Sequence, residues 1–333
     1  MAMKNMIGLL LACLCAGMPP SCALAAGGCR VLVVMSYEED YPWVKQQKEG
    51  IDSQLGGVCE VKYFYLNTKR NFAGGGERSK EAYALYRSFR PDGVIAADDD
   101  AQAMFVVPYL RDKVKTPVMF CGVNAEPEQY GYPASNVSGV LERHHIAESI
   151  VLARQLIPSV KTIGFIMKES PVAGLVRNQV NQEYASYPIR VVGFKMPKTL
   201  MEAVAMAREF RKSADVLYVE TLEGIVDAAG SPIKDREAMS TVARAFGKAT
   251  LTGNSYYIEY GLLAAVVLSG QEQGATVARM LQQAMGGTPV ARIPVVKNHS
   301  GKRMINVTVM KKLGITPKPL VLRGVELVRT KEP

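Results

Sequence analysis

Four short apolar runs, RVLVVMS (30–36), VKYFYL (61–66), GVIAA (93–97) and PVMFCGV (117–123), are separated by segments with apolar residues at helical spacing. Val44, Ile51 and Leu55 form one such stripe in a helix expected around 40–55, and further helices are expected around 77–89 and 100–112. Continuous apolar strands joined by helical crossovers require a parallel sheet covered on both faces. The same order then starts again. A helix carrying Ile146, Ile150, Ala153 and Ile157 leads to TIGFIM (162–167), a helix near 172–186 and IRVVGF (189–194). A helix with Leu200, Ala203, Val204, Ala207 and Phe210, the strand DVLYV (215–219), a helix near 234–247 and ATLTG (249–253) complete this second unit. GLLAAVVLSG and QEQGATVARMLQQAMGG add a strand and a helix with Val277, Leu281 and Ala284 on one face. IPVV (293–296) and a short helix near 305–313 close the chain. The fold class is therefore α/β, with two doubly wound units of similar layout. Their join, ASNVSGVLE (134–142), is itself strand-like, which predicts an ordered hinge crossed more than once.

The 333 residues, 48% hydrophobic and 21% charged, have room for two domains. The formal charge of +9 is spread along the chain. With no run of five basic residues and no aromatics interleaved with basic ones, nucleic acid is not an expected partner. The N-terminus has Lys4, an apolar stretch from Met6 to Met18 and Ala23-Leu24-Ala25, the layout of a secretory signal peptide (1–25) cut after Ala25. A periplasmic or other extracytoplasmic location is expected. Leu10-Leu11-Ala12-Cys13 loosely resembles a lipoprotein box, so a lipid-anchored form is the alternative. Cleavage leaves Cys29, Cys59 and Cys121. Cys29 and Cys59 open neighbouring strands at the same sheet end, a placement compatible with a disulfide, and Cys121 is read as a small buried hydrophobe.

Ligands in open parallel sheets bind beyond the carboxyl ends of the strands. The residues at those ends are Ser36-Tyr37, Asp98-Asp99-Asp100 and Asn124 in the first half. In the second they are Glu169-Ser170, Glu220-Thr221 and Asn254-Ser255-Tyr256. Each position alone suits a helix N-cap, but matching chemistry in both halves points to one polar cleft. Of the three aspartates, Asp99 or Asp100 is expected to cap the next helix, another to face the cleft, and a third to meet solvent. Tyr37, Tyr41 and Trp43 could stack on a ligand, or Trp43 could pack on its own helix. No catalytic residues, cofactor or metal site are expected. His144, His145 and His299 lack a catalytic pattern, and nucleophile-elbow, metalloprotease and phosphate-loop motifs are missing from the sequence.

SYEEDYPW (36–43), PDGVIAADDDAQ (91–102), PVMFCGVN (117–124), NVSGVLE (136–142) and EYGLLAAVVLSGQEQGATVARMLQQAMGG (259–287) together resemble a known family. It is that of the ABC-transporter substrate-binding proteins with the type I periplasmic-binding-protein fold, in the branch associated with tryptophan or tyrosine uptake. The resemblance implies two lobes joined by a multi-strand hinge: 29–140 plus about 266–290, and 141–265 plus about 291–333, closing on one small ligand. It carries over as cleft positions Ser36, Tyr37, Trp43, Asp98, Asp99, Asn124, Glu142, Glu220, Thr221, Asn254 and Tyr256. The implied protein is a monomer that delivers an amino acid or related ligand to an inner-membrane ABC permease. Two other readings stay open: a periplasmic sensing subunit for a signalling receptor, and a Mg²⁺-dependent phosphoryl-transfer enzyme using the acidic strand ends.

Overall fold

The computed structural model describes residues 28–331, so the leader and Cys13 lie outside the described residues. The first unit comprises β1 (Cys29–Met35), α1 (Pro42–Leu55), β2 (Cys59–Tyr65), α2 (Gly75–Phe89), β3 (Gly93–Ala97), α3 (Asp98–Ala101), β4 (Val118–Val123) and β5 (Val137–Leu141). The second comprises α4 (Ile146–Leu156), β6 (Thr162–Ile166), α5 (Pro171–Glu183), β7 (Arg190–Lys195), α6 (Leu200–Ser213), β8 (Val216–Val219), α7 (Asp235–Phe246), β9 (Ala249–Thr252), α8 (Ser255–Glu259) and β10 (Ala264–Val267). Then follow α9 (Gly270–Met285), β11 (Val296–Lys297), β12 (Lys302–Asn306), α10 (Val307–Lys312) and β13 (Glu326–Val328).

Two sheets result. The first has the order β2-β1-β3-β4-β5-β11 and is parallel throughout. The second runs β7-β6-β8-β9-β10-β12-β13, parallel except where β12 turns back against β10. Every residue of β3 and β4 is buried, as expected of strands covered on both faces. Cys29 and Cys59 lie in register across β1 and β2 and are joined by a disulfide, with Cα atoms 4.4 Å apart.

The chain passes between the two sheets three times: after β5, after β10, and between β11 and β12. Two stretches lie elsewhere than the sequence division puts them. Val266 and Val267 belong to β10, which pairs with β9 in the second sheet, and Val296–Lys297 pairs with β5 in the first. Both are short strands whose apolar pattern says nothing about which sheet they join. Helix α9 returns to the first unit and lies along α1. The two backbones touch at Gly50 and Gly274, where a Cβ on either residue would collide with the facing main chain. Two further differences concern the segments around 100–112 and 302–328. Residues 102–110 wind with wider turns around Pro108, and the Arg111 amide reaches back five residues to the Val106 carbonyl at 2.8 Å. β12 and β13 carry Lys302, Arg303 and Glu326, so no apolar run announces them.

Candidate functional site

The carboxyl ends of β1, β3, β4, β5, β6, β8 and β9 converge on a small chamber between the two units. Its wall is Tyr37, Tyr41, Trp43, Lys69, Asp98, Asn124 and Glu142 from one side, Met167, Val172, Glu220, Thr221, Asn254 and Tyr256 from the other, and His144 from the connection after β5, whose backbone bonds Gln179 of α5. The chamber encloses about 30 Å³.

Asp98 opens α3 in the left-handed region at φ 66°, which aspartate tolerates better than most residues. Trp43 Nε1–H donates to its Oδ1 at 2.9 Å, and Gln47 Nε2 donates to the same oxygen at 3.3 Å. Trp43 thus reaches from α1 to position Asp98 while its ring lines the chamber. Gly122, at φ 71°, leaves the space this carboxylate occupies, because a side chain there would run into Oδ1. The other oxygen, Oδ2, is buried without a hydrogen-bond partner among the described residues. Burial pushes the Asp98 carboxyl up to about 8, against the pull of the Trp43 bond and of Lys69.

The neighbouring carboxylates do other things. Asp99 accepts from the amides of Asn124 (2.9 Å) and Ala125 (3.1 Å) and from the Tyr130 hydroxyl (2.9 Å), which fixes the turn after β4. Asp100 accepts from Thr68 Oγ1 at 2.6 Å. All three aspartates are buried, contrary to the expectation that one meets solvent, and they point to three separate places. They do not converge on a cation, and among the described residues no group of three or more His, Cys, Asp or Glu is placed to hold a metal ion.

Ser36 and Asp99 are cleft candidates that stand outside the wall. The Ser36 hydroxyl donates to the Ala97 carbonyl at 2.6 Å and accepts from the Ala101 amide at 2.8 Å, so it performs the capping expected of an aspartate. The other nine, Tyr37, Trp43, Asp98, Asn124, Glu142, Glu220, Thr221, Asn254 and Tyr256, are all in the wall. Lys69, His144, Met167 and Val172 are wall residues that the sequence did not single out. Lys69 and His144 follow β2 and β5, where the strand-end rule points as well, and Met167 follows β6 directly, ahead of the Glu169-Ser170 pair that the sequence offers there.

Glu220 has its acceptors filled within its own unit, by Asn254 Nδ2 (2.7 Å), the Gly253 amide (2.8 Å) and Thr252 Oγ1 (3.2 Å). That bond orients Asn254 with Oδ1 free, and Oδ1 has no partner among the described residues. Asn124 is oriented likewise: Nδ2 donates to the Gly122 carbonyl (3.2 Å) and to Glu142 (3.4 Å), leaving Oδ1 unpartnered. Burial raises the Glu142 carboxyl, with Asp98 adding to it. His144 is driven down to about 3 by burial and then by His145, so it is neutral at pH 7. The adjacent His145 faces away, toward Asn298 and the Ser300 carbonyl.

The chamber therefore offers three buried oxygens without donors, from Asp98, Asn124 and Asn254, among the rings of Tyr37, Tyr41, Trp43 and Tyr256.

Residues 106–326, well over half of the chain, match the family model described as ABC transporter substrate binding protein. The chain belongs to that family. Solved structures share the fold of this substrate-binding protein. An ABC domain from Streptococcus pneumonia in complex with L-Trp is 19% identical, with a TM-score of 0.70, over 90% of this chain and 100% of that one. A ligand-free, open substrate binding protein with adhesive properties from Clostridium difficile is 18% identical, with a TM-score of 0.68, over 91% and 100%. A solute binding protein of an ABC transporter from Bacillus halodurans with bound myo-inositol is 11% identical, with a TM-score of 0.56, over 88% and 99%. No curated protein matches the sequence. At these identities the likeness carries the two-lobed α/β fold of the type I binding proteins.

Proposed function

We propose that this substrate-binding protein is exported, takes up a small molecule bearing an ammonium group between its lobes, and delivers it unchanged to an ABC permease. An amino acid or a related amine, aromatic among the candidates, fits this description. The observation that carries the proposal is the set of buried, unpartnered atoms in the chamber wall: Asp98 Oδ2, Asn124 Oδ1 and Asn254 Oδ1, with Nδ1 of the neutral His144 as a fourth, all suited to the N–H donors of a primary ammonium. An unpartnered buried oxygen costs on the order of 1–3 kcal/mol, so a ligand that satisfies such atoms gains that penalty back on binding. The surrounding aromatic rings favour a cation as well. The L-Trp carried by the Streptococcus pneumonia domain is an amine of this kind.

The test is mass spectrometry of whatever small molecule is released when the purified protein is denatured, followed by thermal shift on adding it back. A released amine that restores the melting temperature supports the proposal. A released sugar or other amine-free ligand overturns it. Asp98→Ala should abolish amine binding, and an unchanged affinity would remove Asp98 from the role.

A further inference from the structure

The chamber's 30 Å³ has room for a ligand's head group only. A second cavity of about 490 Å³ adjoins it, in the size range that holds small organic molecules. Tyr37, Lys69, Val172 and Thr221 belong to both walls, so a ligand seated by its ammonium in the chamber extends its remainder into the larger space.

The charges of this outer cavity are uneven in one respect. Its carboxylates are engaged: Glu223 pairs with Arg70 at 2.9 Å, Glu169 with Lys198 at 3.6 Å, and Asp100 accepts from Thr68. Two lysines, one from each lobe, have no ion pair among the described residues. Lys69 lies with Nζ 4.3 Å from the centre of the Tyr37 ring. Lys168 stands on the facing lobe beside Gly224 of its own unit, and the Lys69 loop approaches the same point: a Cβ on Gly224 would lie 3.0 Å from Lys168 Nζ and 2.6 Å from the Lys69 carbonyl oxygen. Burial and then the charge of Lys69 hold the Lys168 ammonium below its usual range, and the nearby Glu223 and Glu38 offset this only in part. Ser170 and Pro171, at the start of α5, line the same space, and the dipole of that helix favours negative charge there.

We propose that the outer cavity is a second subsite for an anionic group of the same ligand, gripped between Lys69 and Lys168, so that the cargo carries an acid several bonds from its amine. This rests on the ammonium reading of the inner chamber. An anion between lysines of opposite lobes replaces their repulsion by two attractions made only in the closed state, and so it promotes closure.

The experiment is calorimetric titration of matched probes: para-(aminomethyl)benzoate against benzylamine, and δ-aminovalerate against pentylamine. In at least one pair the acid-bearing probe should bind about tenfold tighter or better, the contribution of a charge-assisted hydrogen bond. That advantage should disappear in Lys168→Met and in Lys69→Met, and persist in Lys168→Arg. Amines that bind as tightly as their acid-bearing partners, or an advantage that survives both methionine variants, overturn the second subsite and leave the amine chamber standing. Failure of all four probes to bind overturns the chamber's reading, and the subsite with it.

Discussion

Asp98 is held by one oxygen and free at the other, and this sets how binding should respond to pH. Its folded carboxyl lies at about 8, above the ordinary 3.8, because burial disfavours the charge. The folded, ligand-free protein therefore holds this proton more tightly than the unfolded chain does. The stability this contributes is complete below about pH 4 and is lost as pH rises through about 8. Asp99, Asp100, Glu142 and Glu220 are raised by burial too and act in the same direction. In Asp98→Asn the fall in melting temperature between these limits should be shallower, and a slope equal to the parent's would contradict the assignment. An arriving ammonium needs the carboxylate, so below pH 8 binding should expel a proton and affinity should rise with pH. Titration calorimetry in buffers of different ionisation enthalpy measures that proton directly, and no dependence on buffer would count against Asp98 as the ammonium's partner. The sequence shows that three adjacent carboxylates at a strand end need partners. It does not show which one faces the cleft, because that depends on Trp43, Gln47 and Gly122 arriving from elements some 20–55 residues away.

Helices α1 and α9 come from opposite ends of the chain and meet through Gly50 and Gly274. Replacing Gly274 by Ala inserts a methyl group against the Gln47 carbonyl and pushes the helices apart, an overpacking that costs typically 1–3 kcal/mol. Urea denaturation should show a lower midpoint, and an unchanged midpoint would mean that the pair has slack. The same helices place Trp43 and Gln47 on Asp98 and Gln273 within 3.3 Å of Glu142, so ligand affinity should fall with stability. At the sheet edge the Cys29–Cys59 disulfide closes a loop of 30 residues, for which chain entropy predicts about 3–4 kcal/mol. A Cys29→Ser, Cys59→Ser double variant should lose that much in the same assay while binding the same amine, since the bond lies at the strand starts, away from the chamber. Strands such as β3 and β4 are legible in the sequence because burial on both faces leaves a continuous apolar run. β12 and β13 are not, because they are held at the margin of the second sheet by residues such as Lys302 and Glu326 that also suit a loop.

At the scale of the molecule, the repeated order of strands and helices is enough to announce two lobes, but not how tightly they meet. In the structure they are closed on each other, and the contact is built around one hydroxyl. Tyr41 OH, on the first lobe, donates to Thr221 Oγ1 at 3.2 Å, stands 3.2 Å from Tyr257 OH, and accepts from Tyr256 OH at 3.4 Å. Gln46 Nε2 adds a bond to Ser255 Oγ at 3.1 Å. The ion pair of Arg70 with Glu223 at the mouth is half-exposed on the arginine side and contributes at most about 1 kcal/mol. The buried hydroxyl cluster, not the surface pair, should therefore set the balance between open and closed lobes. These bonds exist only when the lobes meet, so removing them lowers the closed fraction and weakens apparent affinity by the same factor. Tyr41→Phe keeps the ring and deletes the hydroxyl, losing about 1 kcal/mol of net hydrogen bonding and hence up to about fivefold in affinity, the limit being reached when the closed form is the minor one. X-ray scattering should find the ligand-free variant more expanded than the parent and the saturated variant equally compact. A variant with unchanged affinity and unchanged size would show that the hydroxyls only fill the interface, and that the ligand itself holds the lobes together.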